Sequence, residues 1–200
     1  NNIYLKREDL QEVFSFKIRG AYNKMQNLSK KQLSKGVITS SAGNHAQGVA
    51  LSALKLKTKA TILMPITTPM VKVNAVRELK AEVILHGDNY DESYLEAQRL
   101  SKERKLSFIH PFDDPDVIAG QGTIGIELLN QLKDPPDAIY IAVGGGGLIA
   151  GISIYIKNKW PTTKIIGIEP EDANAMTRSL KEKKIIELDN VGLFADGVAV

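Results

Sequence analysis

The sequence contains no cysteine. That excludes disulfide bridges, thiolate metal sites and cysteine nucleophiles. Histidine is scarce too. His45, His86 and His110 are too scattered for a recognised local metal motif, so no metal is expected. His86 and His110 each close an apolar run ("EVILH", "LSFIH") and read as strand-end turn residues. The basic runs, Lys55, Lys57 and Lys59 and "KEKK" at 181–184, have no interleaved aromatics. They read as solvated faces, and nucleic acid is not an expected partner. No apolar run approaches the roughly 18 residues that cross a membrane. What remains is an ordinary globular balance, 43% hydrophobic and 24% charged, with a formal net charge of +3.

The ends carry an expectation of their own. Asn1 stands where an initiator Met is usual, "IYLK" reads as a strand, and "FADGVAV" stops in an apolar run. The chain is therefore expected to be a piece of a longer protein.

Between the ends runs one repeated rhythm. The runs "GVITS", "ATILM", "AEVILH", "SFIH", "AIYIAV" and "KIIGIE" read as strands. Helical patterns fall near 18–28, 45–55, 70–80, 91–104, 116–132, 147–158 and 173–183. Strands separated by single helices predict crossover units and a parallel sheet. The strands are nearly continuous apolar runs, as strands covered on both faces should be. Ligands of such folds bind at the carboxyl ends of strands, so the residues after each strand matter most.

"SSAGNHAQG", residues 40–48, follows the first of these strands. Its small residues permit a tight turn whose N–H groups can hold a carboxylate or phosphate. A plain strand-to-helix turn with Asn44 as N-cap fits equally well. "AVGGGGLIAG", residues 142–151, is a sharper signal. Four glycines between a strand and a helix make an anion cradle, and the apolar flanks argue against a linker. Gly145, Gly147 and Ala150 also fit G-x-G-x-x-A, with Glu169 ending the next strand. That pattern suits a dinucleotide, with Glu169 on a ribose hydroxyl. It is not a Walker loop, because Ile152 stands where the lysine belongs.

Lys17 sits among apolar neighbours in "VFSFKIRGAYN". Buried lysines are rare unless paired. A snorkelling or ion-paired lysine is one reading. The other is a reactive amine. Neutralising an ordinary lysine at pH 7 costs roughly 4 to 5 kcal/mol, and an apolar pocket can supply much of that shift. A lysine in such a pocket together with a glycine phosphate cradle suggests pyridoxal phosphate. Phe16, next to Lys17, reads as packing.

Several motifs in order now carry a resemblance: "LKREDL" at 5–10, "FSFKIRGAYN", "SSAGNHAQGVA", "LHGDNYDES", "PFDDPDVIAGQGTIG", "VGGGGLIAG" and "VGLFADGVAV". The chain resembles the threonine dehydratases (threonine ammonia-lyases) of the fold-type II pyridoxal phosphate enzymes. Its last motif is more similar to the biosynthetic type. The resemblance implies two open, mostly parallel twisted-sheet α/β domains of the tryptophan synthase beta-like architecture, truncated here at the C-terminus. Residues 12–112 would form the smaller domain, and residues 1–11 with 113–200 the larger, incomplete one. It implies pyridoxal 5'-phosphate as cofactor and Lys17 as its covalent anchor and catalytic base. It implies Asn44 on the ring hydroxyl, and Gly144, Gly145, Gly146, Gly147 and Leu148 around the phosphate. The backbone of Ser41, Ala42, Gly43, Asn44 and His45 would receive the substrate carboxylate, with no catalytic role for the His45 side chain. The implied reaction is β-elimination from L-threonine, and from L-serine, ending in ammonia and a 2-oxo acid. For threonine this is the first step of isoleucine biosynthesis. The implied setting is intracellular, in cytoplasm or an organelle, as a homo-oligomer when full length. The 200 residues alone are expected to be inactive.

Two departures bear on related chemistry. The serine racemases place a second base directly before the "GN" pair, where this chain has Ala42. Their metal site needs an acidic residue six positions after the Glu of "EP", where this chain has Ala175. Racemisation and that metal are therefore not expected.

Overall fold

The computed structural model describes residues 2–188, 190–192 and 194–199. Asn1, and Leu193 and Val200 of the last motif, lie outside them. The chain divides into two compact units, residues 1–111 and 112–200.

The first unit is built on four parallel strands. These are β1 (Val37–Ser40), β2 (Ala60–Met64), β3 (Glu82–Leu85) and β4 (Ser107–Phe108), in the order β3-β2-β1-β4. Register is set by pairs such as Val37 with Ala60, Ile62 with Val83, and Ile38 with Phe108. The connecting helices are α1 (Lys17–Gln26), α2 (Lys30–Lys35), α3 (Asn44–Lys55), α4 (Met70–Glu78) and α5 (Tyr90–Arg104). Side chains alternate across the pleat. Val37, Ile62 and Met64 therefore join a core with Met25, Val49, Val73 and Val76 on one face. Ile38 and Leu63 meet Ala97 and Leu100 of α5 on the other. Both faces are covered, which is why β1 and β2 are buried throughout. Each such side chain contributes about 1.5 to 3 kcal/mol by burial.

The second unit holds β5 (Ala138–Ala142) and β6 (Lys164–Ile168), parallel and in register from Ala138 with Lys164 to Ala142 with Ile168. Its helices are α6 (Pro115–Gln131), α7 (Gly147–Lys159) and α8 (Ala175–Glu182). Asp114 opens α6, its carboxylate accepting from the N–H groups of Asp116 and Val117, with Pro115 in the first turn. Helices α6 and α7 approach unusually closely. A Cβ on Gly151 would come within 2.2 Å of the Ile118 carbonyl oxygen and 2.7 Å of the Gly122 nitrogen. Glycine is therefore required by backbone contact, not by a turn.

All six apolar runs between the connecting helices form strands, and all seven helical patterns form helices. Three details differ from expectation. "IYLK" forms no strand among the described residues; Ile3, Tyr4 and Leu5 are exposed and no ladder partner pairs with them. A strand exists only as one side of a ladder, so an apolar run alone does not make one. The pattern at 173–183 starts its α-helix at Ala175, after a short 3-10 turn over Glu171–Ala173. Helix α2 was unanticipated. It is opened by a reciprocal cap, with Ser29 Oγ accepting from the Gln32 N–H and Gln32 Oε1 accepting from the Ser29 N–H. The spacing S-x-x-Q was its legible signal.

Candidate active site

Strand order locates the first site. The chain leaves β1 for β2 and β3 on one side, and β4 returns on the other. The crevice between the carboxyl ends of β1 and β4 is thus the switch point, where open α/β sheets bind ligands. From β1 issues "SAGNH" at 41–45; from β4 issues Ile109-His110-Pro111.

Lys17 begins α1, which lies against α3. The approach is close at Gly48, where a Cβ would stand 3.0 Å from the Lys17 carbonyl carbon. The Lys17 Nζ donates to the Pro111 carbonyl at 3.1 Å. It also lies 5.2 Å from the centroid of the Phe16 ring, so Phe16 adds a cation–π contact to its packing. Among the described residues no carboxylate pairs with this amine, which answers the ion-paired reading. Burial pushes it down to about 8. Relative to an unperturbed lysine, the neutral fraction at pH 7 rises roughly 300-fold. The side chain keeps part of its surface accessible. This is the environment of a nucleophile or base.

"SAGNH" makes a turn into α3. Gly43, not Asn44, holds the N-cap position, and no side chain caps the helix there. Asn44 is the first helical residue and is exposed. Its amide is thus available to a ligand. Two of the five N–H groups are already engaged: Ser41 donates to the Leu63 carbonyl and Gly43 to Ser41 Oγ. Those of Asn44 and His45, in the first turn, have no intrahelical acceptor. His45 turns inward, with Nε2 3.0 Å from the Ile109 carbonyl. Burial, and then the charge of Lys17, push its imidazole down to about 3, so it is neutral. The buried hydroxyls of Ser15 and Ser40 and the Nδ1 of His45 have no hydrogen-bond partner among the described residues.

The second candidate site belongs to residues 112–200. Residues 143–146 join β5 to α7, which opens with Gly147 and Leu148 and has Gly146 as left-handed N-cap at φ +84°. A Cβ on Gly145 would meet the Phe112 ring at 2.3 Å, and one on Gly147 the Phe112 carbonyl oxygen at 2.7 Å. The loop is thus drawn tight over Phe112, with the N–H groups at the start of α7 left without helical acceptors. This cradle suits a phosphate. Glu169 is not free for a ribose. Its carboxylate accepts from the Met176 N–H at 2.9 Å and the Thr177 N–H at 2.7 Å, closing the first turn of α8. That removes the acidic partner the dinucleotide reading relied on.

No sequence motif assigns a role to Pro111, Phe112, Gly48 or Thr39. The segment "PFDDPD" held two of them, but a carbonyl acceptor 94 residues from its donor leaves no local pattern.

The whole chain, residues 1–200, matches the family described as pyridoxal-phosphate dependent enzyme. The chain belongs to that family. It is 61% identical over 198 residues to the biosynthetic, chloroplastic threonine dehydratase of Arabidopsis thaliana, covering 99% of this chain and 33% of that protein. It is similar to the solved structure of processed threonine deaminase isoform 2 from Solanum lycopersicum, with a TM-score of 0.96 and 58% identity. That match covers 98% of this chain and 57% of the other. It is also similar to maize serine racemase, with a TM-score of 0.91 and 36% identity, covering 96% and 58%. The chain spans about a third of the length of the first curated relatives it matches. The family implies pyridoxal phosphate, and both candidate sites fit it. Among the described residues Lys17 is a desolvated amine with no carboxylate partner, and Gly145 and Gly147 seat their loop against Phe112, where a Cβ would clash, at the start of α7. Among the described residues no helix is long and apolar enough to cross a membrane.

Proposed function

We propose that the whole protein deaminates L-threonine, and L-serine by the same path, as a threonine ammonia-lyase at the entry to isoleucine biosynthesis. The observation that carries this reading is Lys17, whose desolvated amine, among the described residues, meets a carbonyl and a ring and no carboxylate. When bound, pyridoxal phosphate supplies an electron sink for the charge left when a proton leaves an amino acid's α-carbon. Lys17 anchors the cofactor's aldehyde and, when freed by the incoming amino acid, takes the α-proton as a neutral base. Gly144, Gly145, Gly146, Gly147 and Leu148 hold the phosphate. Asn44 bonds the ring hydroxyl. The N–H groups of Ala42, Asn44 and His45 and the hydroxyl of Ser41 receive the substrate carboxylate. Loss of the β-hydroxyl removes water, and hydrolysis of the released product restores it. The balance is threonine to 2-oxobutanoate and ammonia.

Ala42 disfavours racemisation. The position that the racemases give to a second base here carries a methyl group, which accepts no proton. The identity to threonine dehydratases, well above that to the maize racemase, supports the same choice. In the complete fold, residues 12–112 would form the smaller domain and residues 1–11 with 113–200 part of the larger. A homo-oligomer in cytoplasm or organelle is the proposed setting.

The test is Lys17→Ala in the whole protein. Wild-type protein loaded with pyridoxal phosphate and reduced with borohydride should carry the label on Lys17. The variant should keep its fold, lose the label, and release ammonia from threonine at least about 10³-fold more slowly. Near-normal turnover by the variant would overturn the assignment.

A further inference from the structure

The Pro111 carbonyl is the one hydrogen-bond acceptor on the Lys17 amine among the described residues. Its position depends on a short segment leaving the carboxyl end of β4. Two residues back, the Ile109 carbonyl accepts two side-chain bonds, from Thr39 Oγ1 at 2.8 Å and from His45 Nε2 at 3.0 Å. The Ile109 N–H donates to the Ile38 carbonyl at 2.9 Å. A carbonyl only accepts, so Nε2 carries the imidazole proton and Nδ1 is left with a bare lone pair.

That lone pair is buried and has no partner among the described residues. Burying an unsatisfied acceptor is costly, and an apolar side chain of similar size would avoid that cost. Packing alone therefore does not favour histidine here. What histidine supplies is the bond to Ile109. It does so from α3, the same helix whose Gly48 lets the Lys17 backbone approach.

We propose that His45 is a positioning residue for Lys17, gripping the Ile109 carbonyl so that the Pro111 carbonyl, two residues on, stands where the Lys17 amine meets it. Thr39 is the second grip on the same oxygen. This rests on the reading of Lys17 as the cofactor's anchor.

The test uses the whole protein freed of cofactor. Pyridoxal phosphate is added, samples are reduced with borohydride at intervals, and the label on Lys17 is followed by mass spectrometry. Capture is thus read without turnover. His45→Leu removes the bond at similar volume, and capture should slow about tenfold, the equivalent of one lost hydrogen bond. His45→Gln can place an amide N–H near the Nε2 position, and it should return capture to within about threefold of wild type. Thr39→Val, which leaves the His45 grip in place, should slow capture less than His45→Leu. If His45→Leu does not fold, His45→Gln and Thr39→Val still decide. Capture by Thr39→Val indistinguishable from wild type would then count against the grip. His45→Leu capturing at the wild-type rate, or His45→Gln as slow as a folded His45→Leu, overturns the proposal. Wild-type protein with label elsewhere than Lys17 overturns the reading beneath it instead.

Discussion

The two units hold themselves together by different means. Residues 1–111 bury large side chains on both faces of a four-stranded sheet, with Ile38, Ile62, Leu63 and Met64 fully enclosed. Among the described residues, 112–200 have two strands, and Tyr140 of β5 is 68% exposed and Ile168 of β6 49% exposed. Their helices α6 and α7 instead meet backbone to backbone, where Gly151 of α7 faces Ile118 and Gly122 of α6. "ATILM" and "AIYIAV" read alike as strands, yet one is enclosed and the other open. Local pattern sets strand formation. The number of neighbours sets burial.

If side-chain packing carries the first unit, Ile62→Ala in the whole protein should cost about 2 to 5 kcal/mol, the usual penalty of emptying an enclosed core site. Denaturant unfolding would show it as a lowered midpoint at unchanged slope. A loss under about 1 kcal/mol would break the contrast. If backbone approach carries the second unit, one methyl group is enough to disturb it. Gly151→Ala should cost about 3 kcal/mol, the upper part of the overpacking range, because the methyl would meet backbone that cannot rotate aside. Hydrogen exchange should quicken in α6 and α7, and unchanged exchange there would refute the argument.

The third and smallest effect separates the units by acid. All three histidines fall within residues 1–111. His45 has its folded value pushed from 6.5 down to about 3 by burial. Between those values the unfolded chain binds the proton and the folded one does not. Stability is therefore full above about pH 6.5 and is lost as pH falls toward 3. By pH 5 the loss should be about 2 kcal/mol. It should appear as faster exchange in residues 1–111 before 112–200, and His45→Gln should flatten it. Equal acid sensitivity in both units, unchanged in that variant, would contradict this.

Much of the candidate site was legible beforehand, for identifiable reasons. Lys17 stood out because charge among apolar neighbours is costly anywhere in a chain. Gly144–Leu148 stood out because four glycines between two apolar runs have few uses. Asn44 was legible as a residue after a strand, but its alternative role as N-cap was not resolved by spacing. Gly43 takes that position, leaving the Asn44 amide available. Glu169 misled for a related reason. A carboxylate ending a strand looks the same whether it meets a ribose or, as here, the first turn of α8.

The sequence by itself determined the alternation of strands and helices, the parallel arrangement it entails, and the chemical kinds present at each strand end. These depend on short-range periodicity and on the conformational needs of single residues. Tertiary structure alone decided which apolar runs are enclosed and that "IYLK" forms no strand among the described residues. It also decided that Lys17 meets Pro111 and that His45 is neutral and holds Ile109. Each of these depends on partners tens of residues away. Desolvation and hydrogen bonding act between atoms in space, and chain distance carries no record of them until the sheet has brought β1 and β4 side by side.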